Sequence, residues 1–122
     1  MGYEDRYTVW PEGVTGDVLA EVYQERGRQD ALRRAGKFLW TAADSEQSNV
    51  RKLAVLAEEF GEVSREVTDE MIATDKAMVP EYRTYKDEMA KVVIARDNLR
   101  TELIQVAAVA VAWAESLARV PE

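Results

Sequence analysis

Between Val50 and Met71 the apolar residues Val50, Leu53, Leu56, Phe60, Val63, Val67 and Met71 succeed one another at intervals of 3, 3, 4, 3, 4 and 4. That spacing gathers on one face of an α-helix and scatters over both faces of a strand, so it commits this stretch to helix. A helix with one apolar face needs partners to bury it. Residues 18–38 supply one, with Val18, Leu19, Val22 and Leu32 on the apolar side and Thr15 or Asp17 placed to cap the start. Residues 41–49 (TAADSEQSN) read as a loop full of capping residues, from which Ser48 or Asn49 starts the second helix. Pro80 interrupts the pattern, and a third helix over residues 81–95 carries Tyr82, Tyr85, Met89, Val92 and Val93. In a last helix over residues 99–118, only Gln105 is polar from Leu103 to Ala114, and a helix apolar nearly all round is buried on most sides. Residues 1–14, with Pro11 and Gly13, read as an irregular arm that packs through Tyr7 and Trp10. With 6 Gly and 3 Pro in 122 residues, four helices with short connections point to an all-α, bundle-like single domain.

Composition narrows the chemistry. Hydrophobic residues at 47% and charged residues at 32% fit a globular chain rather than a disordered one. A net charge of -7 repels nucleic-acid backbones and argues against a general DNA- or RNA-binding role. The absence of Cys and His removes disulfides, Cys/His zinc sites, thiol nucleophiles and imidazole bases. Catalysis in such a chain runs on carboxylates, Lys, Tyr, Ser or Thr, or bound metal. The opening MGYEDRYTVWPEG is charged and has no apolar signal region. The longest apolar run, Val106 to Ala114, is nine residues, too short to span a bilayer, so a cytoplasmic location without a membrane partner is expected.

The carboxylates are the most informative residues. With Leu56 as zero at about 100° per residue, Leu53, Phe60, Val63 and Val67 fall within roughly 60° of it. Glu59, Glu62 and Glu66 fall at about -60°, -120° and -80°, a stripe on the shoulder of the apolar face, while Glu58 points away. Like charges one turn apart repel, more so near a core, and a divalent cation removes the penalty. Glu102 opens the apolar stretch of the last helix, with Gln105 one turn on. A carboxylate entering a buried helix needs a partner or a metal. Oxygen-only ligands suit Mg²⁺ or Mn²⁺, so Glu59 and Glu62 facing Glu102 and Gln105 form a candidate metal site between two helices. The plainer reading of an EExxE string is a solvated helix face, and it accounts for Glu66, Asp69 and Glu70.

LAEEFGEVSREV (residues 56–67) followed by LRTELIQVAAVAVAW (residues 99–113) resembles the MazG-like all-α nucleoside triphosphate pyrophosphohydrolases, and among them the small MazG-like proteins of phages. Glu25-Arg26-Gly27-Arg28-Gln29 is similar to the ER-x-RQ segment that precedes their acidic motif. The resemblance covers about residues 19–118. It implies a four-to-five-helix bundle of the MazG-like type, completed by assembly into a homodimer or homotetramer. It implies cleavage of a (d)NTP to (d)NMP and pyrophosphate with bound Mg²⁺ or Mn²⁺. Glu59, Glu62 and Glu102 would be the catalytic metal ligands, with Glu58 a further member of the motif. Two departures stand out. The family's final Asp is Gln105 here, so the fourth ligand is a neutral oxygen or another carboxylate such as Glu66. The gap between the half-motifs is long, and residues 74–97 read as an insertion that covers the nucleotide or mediates assembly.

A triphosphate held by a protein of net charge -7 needs cations, and the candidates are Arg26, Arg28, Lys37, Lys91 and Arg96. Gln29 completes the ER-x-RQ segment, Trp40 is a candidate to stack on a base, and Asn98, one turn before Glu102, to bond a sugar hydroxyl. Each has a plainer reading as surface charge, core or interface Trp, or helix cap. The residues do not specify the base. Phage members of the group adjust host nucleotide pools, some acting on (d)GTP in pathways that replace adenine by 2-aminoadenine, and guanine is favoured on that analogy, with the host cytoplasm as the location of a phage-encoded member. The competing reading is a non-enzymatic acidic helical phage protein that binds a host protein. On either reading the Ala/Val-rich last helix has too few neighbours in one small chain, and a second copy is expected to cover it.

Overall fold

The structure, a computed structural model, describes residues 12–78 and 85–119. Most of the expected N-terminal arm, with Tyr7 and Trp10, lies outside the described residues, as do Pro80 and Tyr82. The described residues form three helices and no strand: α1 (Gly13–Arg34), α2 (Asn49–Ala77) and α3 (Tyr85–Ala118). The all-helical class is as expected, but the count differs, because the expected third and last helices are one. Residues 96–98 (Arg-Asp-Asn) are polar but include neither Gly nor Pro, so nothing there breaks the backbone ladder.

Local chemistry sets the other boundaries. α1 starts at Gly13 after Glu12, so Thr15 and Asp17 lie inside the helix rather than capping it. It stops at Arg34, earlier than expected, because Gly36 turns left-handed at φ 75°. The Lys37 and Phe38 N–H groups then reach back to the Leu32 carbonyl at 2.9 and 3.2 Å. Ser48 caps α2, its Oγ accepting from the Arg51 N–H at 3.2 Å.

α3 is the central element. It packs along both α1 and α2, which do not pack on each other among the described residues. Small residues allow the close approach. Ala108 and Ala112 are wholly buried, and Ala42 and Ala43 of the α1–α2 loop cluster on Val109 and Ala112, with Val55, Leu56 and Trp113 against them. Polar links fix the register. The buried Arg26 guanidinium donates to Gln29, Asp30 and Glu115, Lys52 Nζ donates to Ser116 Oγ at 2.7 Å, and Trp113 Nε1 donates to Asn49 Oδ1 at 2.9 Å.

Two expected burial patterns are corrected. The apolar stripe of α2 is only half covered. Lys52 and Val63 are buried and Val55, Leu56 and Glu59 partly so, while Leu53 (56%), Phe60 (63%), Val67 and Met71 stay exposed. On the helical wheel the face against α3 is centred about 60° from the stripe's axis, toward Glu59. α3 is likewise not buried on most sides, since Val93, Ile94, Leu103, Val111 and Leu117 are exposed. By length and composition, Asp87–Ala118 is also enough to cross a membrane, which the nine-residue run did not suggest. The core helix of a soluble bundle has the same character.

Candidate functional site

The rotation of α2 puts Glu59 in the seam with α3 rather than on its shoulder. Opposite it on α3 stand Glu102 and, one turn on, Gln105. The Gln105 carboxamide bridges the two acids: in the orientation its neighbours require, its N–H group donates to Glu102 Oε2 at 3.0 Å and Glu59 Oε2 at 3.3 Å. The sequence left the fourth ligand as a neutral Gln105 oxygen or another carboxylate such as Glu66; in this orientation the Gln105 amide donates to both carboxylates.

Charge and burial both act on the pair. Loss of water raises the pKa of Glu59, and Glu102, Glu58, Glu62 and Glu25 raise it further by repulsion. Burial also raises that of Glu102, reinforced by Glu62 and Glu66 and opposed by Arg65. Arg65 reaches this network through a 3.0 Å ion pair with Glu62. Glu59 and Glu102 thus both feel the acidic residues around the seam, and a cation bound among them would relieve that repulsion.

Glu59 and Gln105 also line a cleft of about 300 Å³. One wall is α1, with Glu25, Arg28 and Gln29; the other is α2, with Val55 and Glu59. α3 contributes Gln105 and Val109, and the α1–α2 loop closes one end with Phe38, Trp40, Thr41 and Ala42. The volume falls at the lower end of small-molecule sites, and apolar walls with a few polar groups are their usual make-up. Arg28 is held in place by a two-pronged contact with Glu25, both distances 2.7 Å, and it also feels the Glu59 charge. Gln29 is buried, its Oε1 accepting from Arg26 Nη1 at 3.1 Å.

The structure therefore gathers Arg28, Gln29, Trp40, Glu59 and Gln105 at one cleft, with Glu102 bonded to its edge. Glu62 joins through charge, while Glu58 is exposed and acts only by repelling Glu59. Arg26 is close by in sequence but is buried, with its guanidinium tied to Gln29, Asp30 and Glu115. Lys37 is exposed on the loop and does not line the cleft. Asn98, Arg96 and Lys91 precede Glu102 on α3 by about 6, 9 and 17 Å along the axis, so they belong to the other end of the seam. Glu25, Phe38, Thr41 and Val55 line the cleft without having been singled out. Only Glu25 carried a signal, its place one turn before Arg28 in the ER-x-RQ segment.

Oxygen donors under mutual repulsion are the chemistry a hard divalent cation relieves, so the donor set suits Mg²⁺ or Mn²⁺. Among the described residues no three acidic groups converge on a single point as they stand, so holding an ion requires the carboxylates to close on it. Comparison with known protein families, curated proteins and solved structures gave no match.

Proposed function

We propose that the chain is a metal-dependent nucleotide pyrophosphohydrolase that converts a (d)NTP to (d)NMP and pyrophosphate. The observation that carries this reading is the Glu59–Gln105–Glu102 bridge, two carboxylates with raised pKa at the edge of a cleft that also holds Trp40 and Arg28. The resemblance of residues 56–67 and 99–113 to the MazG-like proteins supplies the reaction, and the bridge of Glu59, Gln105 and Glu102 supports it.

Glu59, Glu62 and Glu102 would hold the cation, which supplies Lewis-acid neutralisation of phosphate charge. The chain's own groups divide the remaining work. Gln105 keeps Glu59 and Glu102 paired across the helices. Arg28, fixed by Glu25, offers a guanidinium edge to a phosphate oxygen. Trp40 and Phe38 provide the faces on which a base stacks, and the apolar cleft excludes water around it. A carboxylate of the seam, its pKa raised by burial, accepts the proton of the attacking water. Guanine is the favoured base, by analogy with the phage proteins, and a homodimer or homotetramer in the cytoplasm is the working form.

A panel of (d)NTPs with Mg²⁺ or Mn²⁺, read out for both pyrophosphate and nucleoside monophosphate, tests reaction class and base together. Release of both products in equal amounts supports the reading. Release of inorganic phosphate instead, or no hydrolysis of any (d)NTP, overturns it. The exposed apolar half of α2, with Leu53, Phe60, Val67 and Met71, favours a second reading in the latter case: a non-enzymatic acidic protein that binds a host protein through that face.

A further inference from the structure

Of the residues that line the cleft, Gln29 is 8% exposed and has only half of its amide committed. Its Oε1 accepts from Arg26 Nη1 at 3.1 Å, and Arg26 is itself buried and tied through Nη2 to Asp30 and Glu115. A guanidinium only donates, so the Gln29 amide cannot turn over without setting N–H against N–H. Its oxygen is therefore fixed toward Arg26. No described residue accepts a hydrogen bond from its Nε2. That nitrogen is not sealed in either, since among the described residues Glu88 Oε2 is the one unbonded side-chain polar atom cut off from the surface. Nε2 thus keeps open surface on a side chain that borders the cleft. An amide donor in a nearly buried position marks where an acceptor belongs.

The surroundings say what kind of acceptor. Phe38, Trp40 and Val55 line the same cleft, so the group that brings it is flat and largely apolar. The other polar groups there also have donors to give. The Thr41 Oγ1 accepts from the Ala43 N–H at 3.2 Å, which leaves its O–H uncommitted. The acceptors are engaged: Glu25 holds Arg28, and Glu59 receives the Gln105 amide. A ring carbonyl oxygen satisfies the Gln29 donor, whereas an amino group in its place sets donor against donor.

We propose that the Gln29 amide reads the base, favouring one with a ring carbonyl oxygen over one with an amino group at the same position. The inference rests on the nucleotide reading and adds the edge by which the base is chosen. NMR titration of the full ¹⁵N-labelled chain, with Mg²⁺ present, by dIMP against dAMP and by dUMP against dCMP tests it. Each pair exchanges an oxygen for an amino group at one ring position, and the monophosphates have no anhydride to cleave. In at least one pair the carbonyl member should bind about tenfold more tightly or better, and it should shift the Gln29 side-chain N–H resonances. Gln29→Met keeps the length, removes the donor and should bring the two affinities within about threefold of each other. Gln29→Glu keeps a partner for Arg26, presents an acceptor to the cleft and should invert the preference. Equal binding within both pairs overturns the proposal and leaves the nucleotide reading standing. So do unmoved Gln29 side-chain resonances at saturation, or a folded Gln29→Met or Gln29→Glu variant that keeps the full preference. Binding of none of the four overturns both.

Discussion

Glu59 and Glu102 are held in contact by a neutral amide, and that arrangement determines how the protein responds to pH. Both carboxyls have raised pKa values in the folded state, through burial first and repulsion second. Between the ordinary carboxylate range and those raised values, the folded chain therefore binds more protons than the unfolded one. Stability contributed by the pair falls as pH rises through that window and returns on acidification. Glu21, whose pKa Arg100 lowers, works in the opposite direction, and its contribution is lost only below the ordinary carboxylate range. Without divalent metal, the midpoint of urea unfolding is thus expected to rise as the pH falls from neutrality toward the ordinary carboxylate range, and the Glu59→Gln, Glu102→Gln double variant should flatten the rise. An unchanged profile in the double variant would contradict the coupling. The meeting of Glu59 and Glu102 was legible in the sequence, because a carboxylate at the head of an apolar helix demands a partner. The role of Gln105 was not, since an amide can serve as ligand or as donor and only its neighbours decide which.

The start of α2 was readable from one residue's chemistry, whereas both ends of α1 and the continuity of α3 were not. Ser48 caps α2 as its hydroxyl predicts. The polar run Arg96-Asp97-Asn98 suggested a break, yet polarity changes what a helix faces rather than whether it continues, and α3 passes straight through. Gly36 ends α1 by adopting φ 75°, and an added Cβ there would meet no atom within 4 Å. Gly36→Ala is therefore expected to lower stability by about 1 kcal/mol through backbone strain alone, measured by urea unfolding. Between α2 and α3, the Lys52 ammonium is almost wholly buried, with the Ser116 hydroxyl as its hydrogen-bond partner. Ser116 keeps its own bond to the Trp113 carbonyl whatever occupies position 52. Lys52→Met removes a desolvated charge and keeps the volume, so stability should rise by about 1 kcal/mol. A fall in the unfolding midpoint would mean that the ammonium stabilises the helix pair.

At the scale of the whole molecule, the heptad-like pattern of α2 identified which residues are apolar but could not say which partner covers them. α3 takes the side with Lys52, Leu56 and Val63 and leaves Leu53, Phe60, Val67 and Met71 open, while Leu103 and Leu117 of α3 are exposed as well. A chain of 13.8 kDa with that much uncovered apolar surface is expected to pair with itself, at twice or four times the single-chain mass by light scattering. Phe60→Glu should reduce the assembly to single chains, and an unmodified protein that is monomeric at micromolar concentration would contradict this. The cleft was only partly legible for a related reason. Arg28 and Trp40 come from segments far from Glu59 in sequence, and Phe38 joins them only because Gly36 turns the chain back. The central claim is that the seam of α2 and α3 is a metal-dependent active site, and pyrophosphate release from the best (d)NTP substrate tests it most directly. With Mg²⁺ present, the unmodified protein should release pyrophosphate and nucleoside monophosphate one for one, and Glu59→Gln and Glu102→Gln should each abolish release while circular dichroism shows their helices intact. Undiminished turnover in either folded variant would contradict the account.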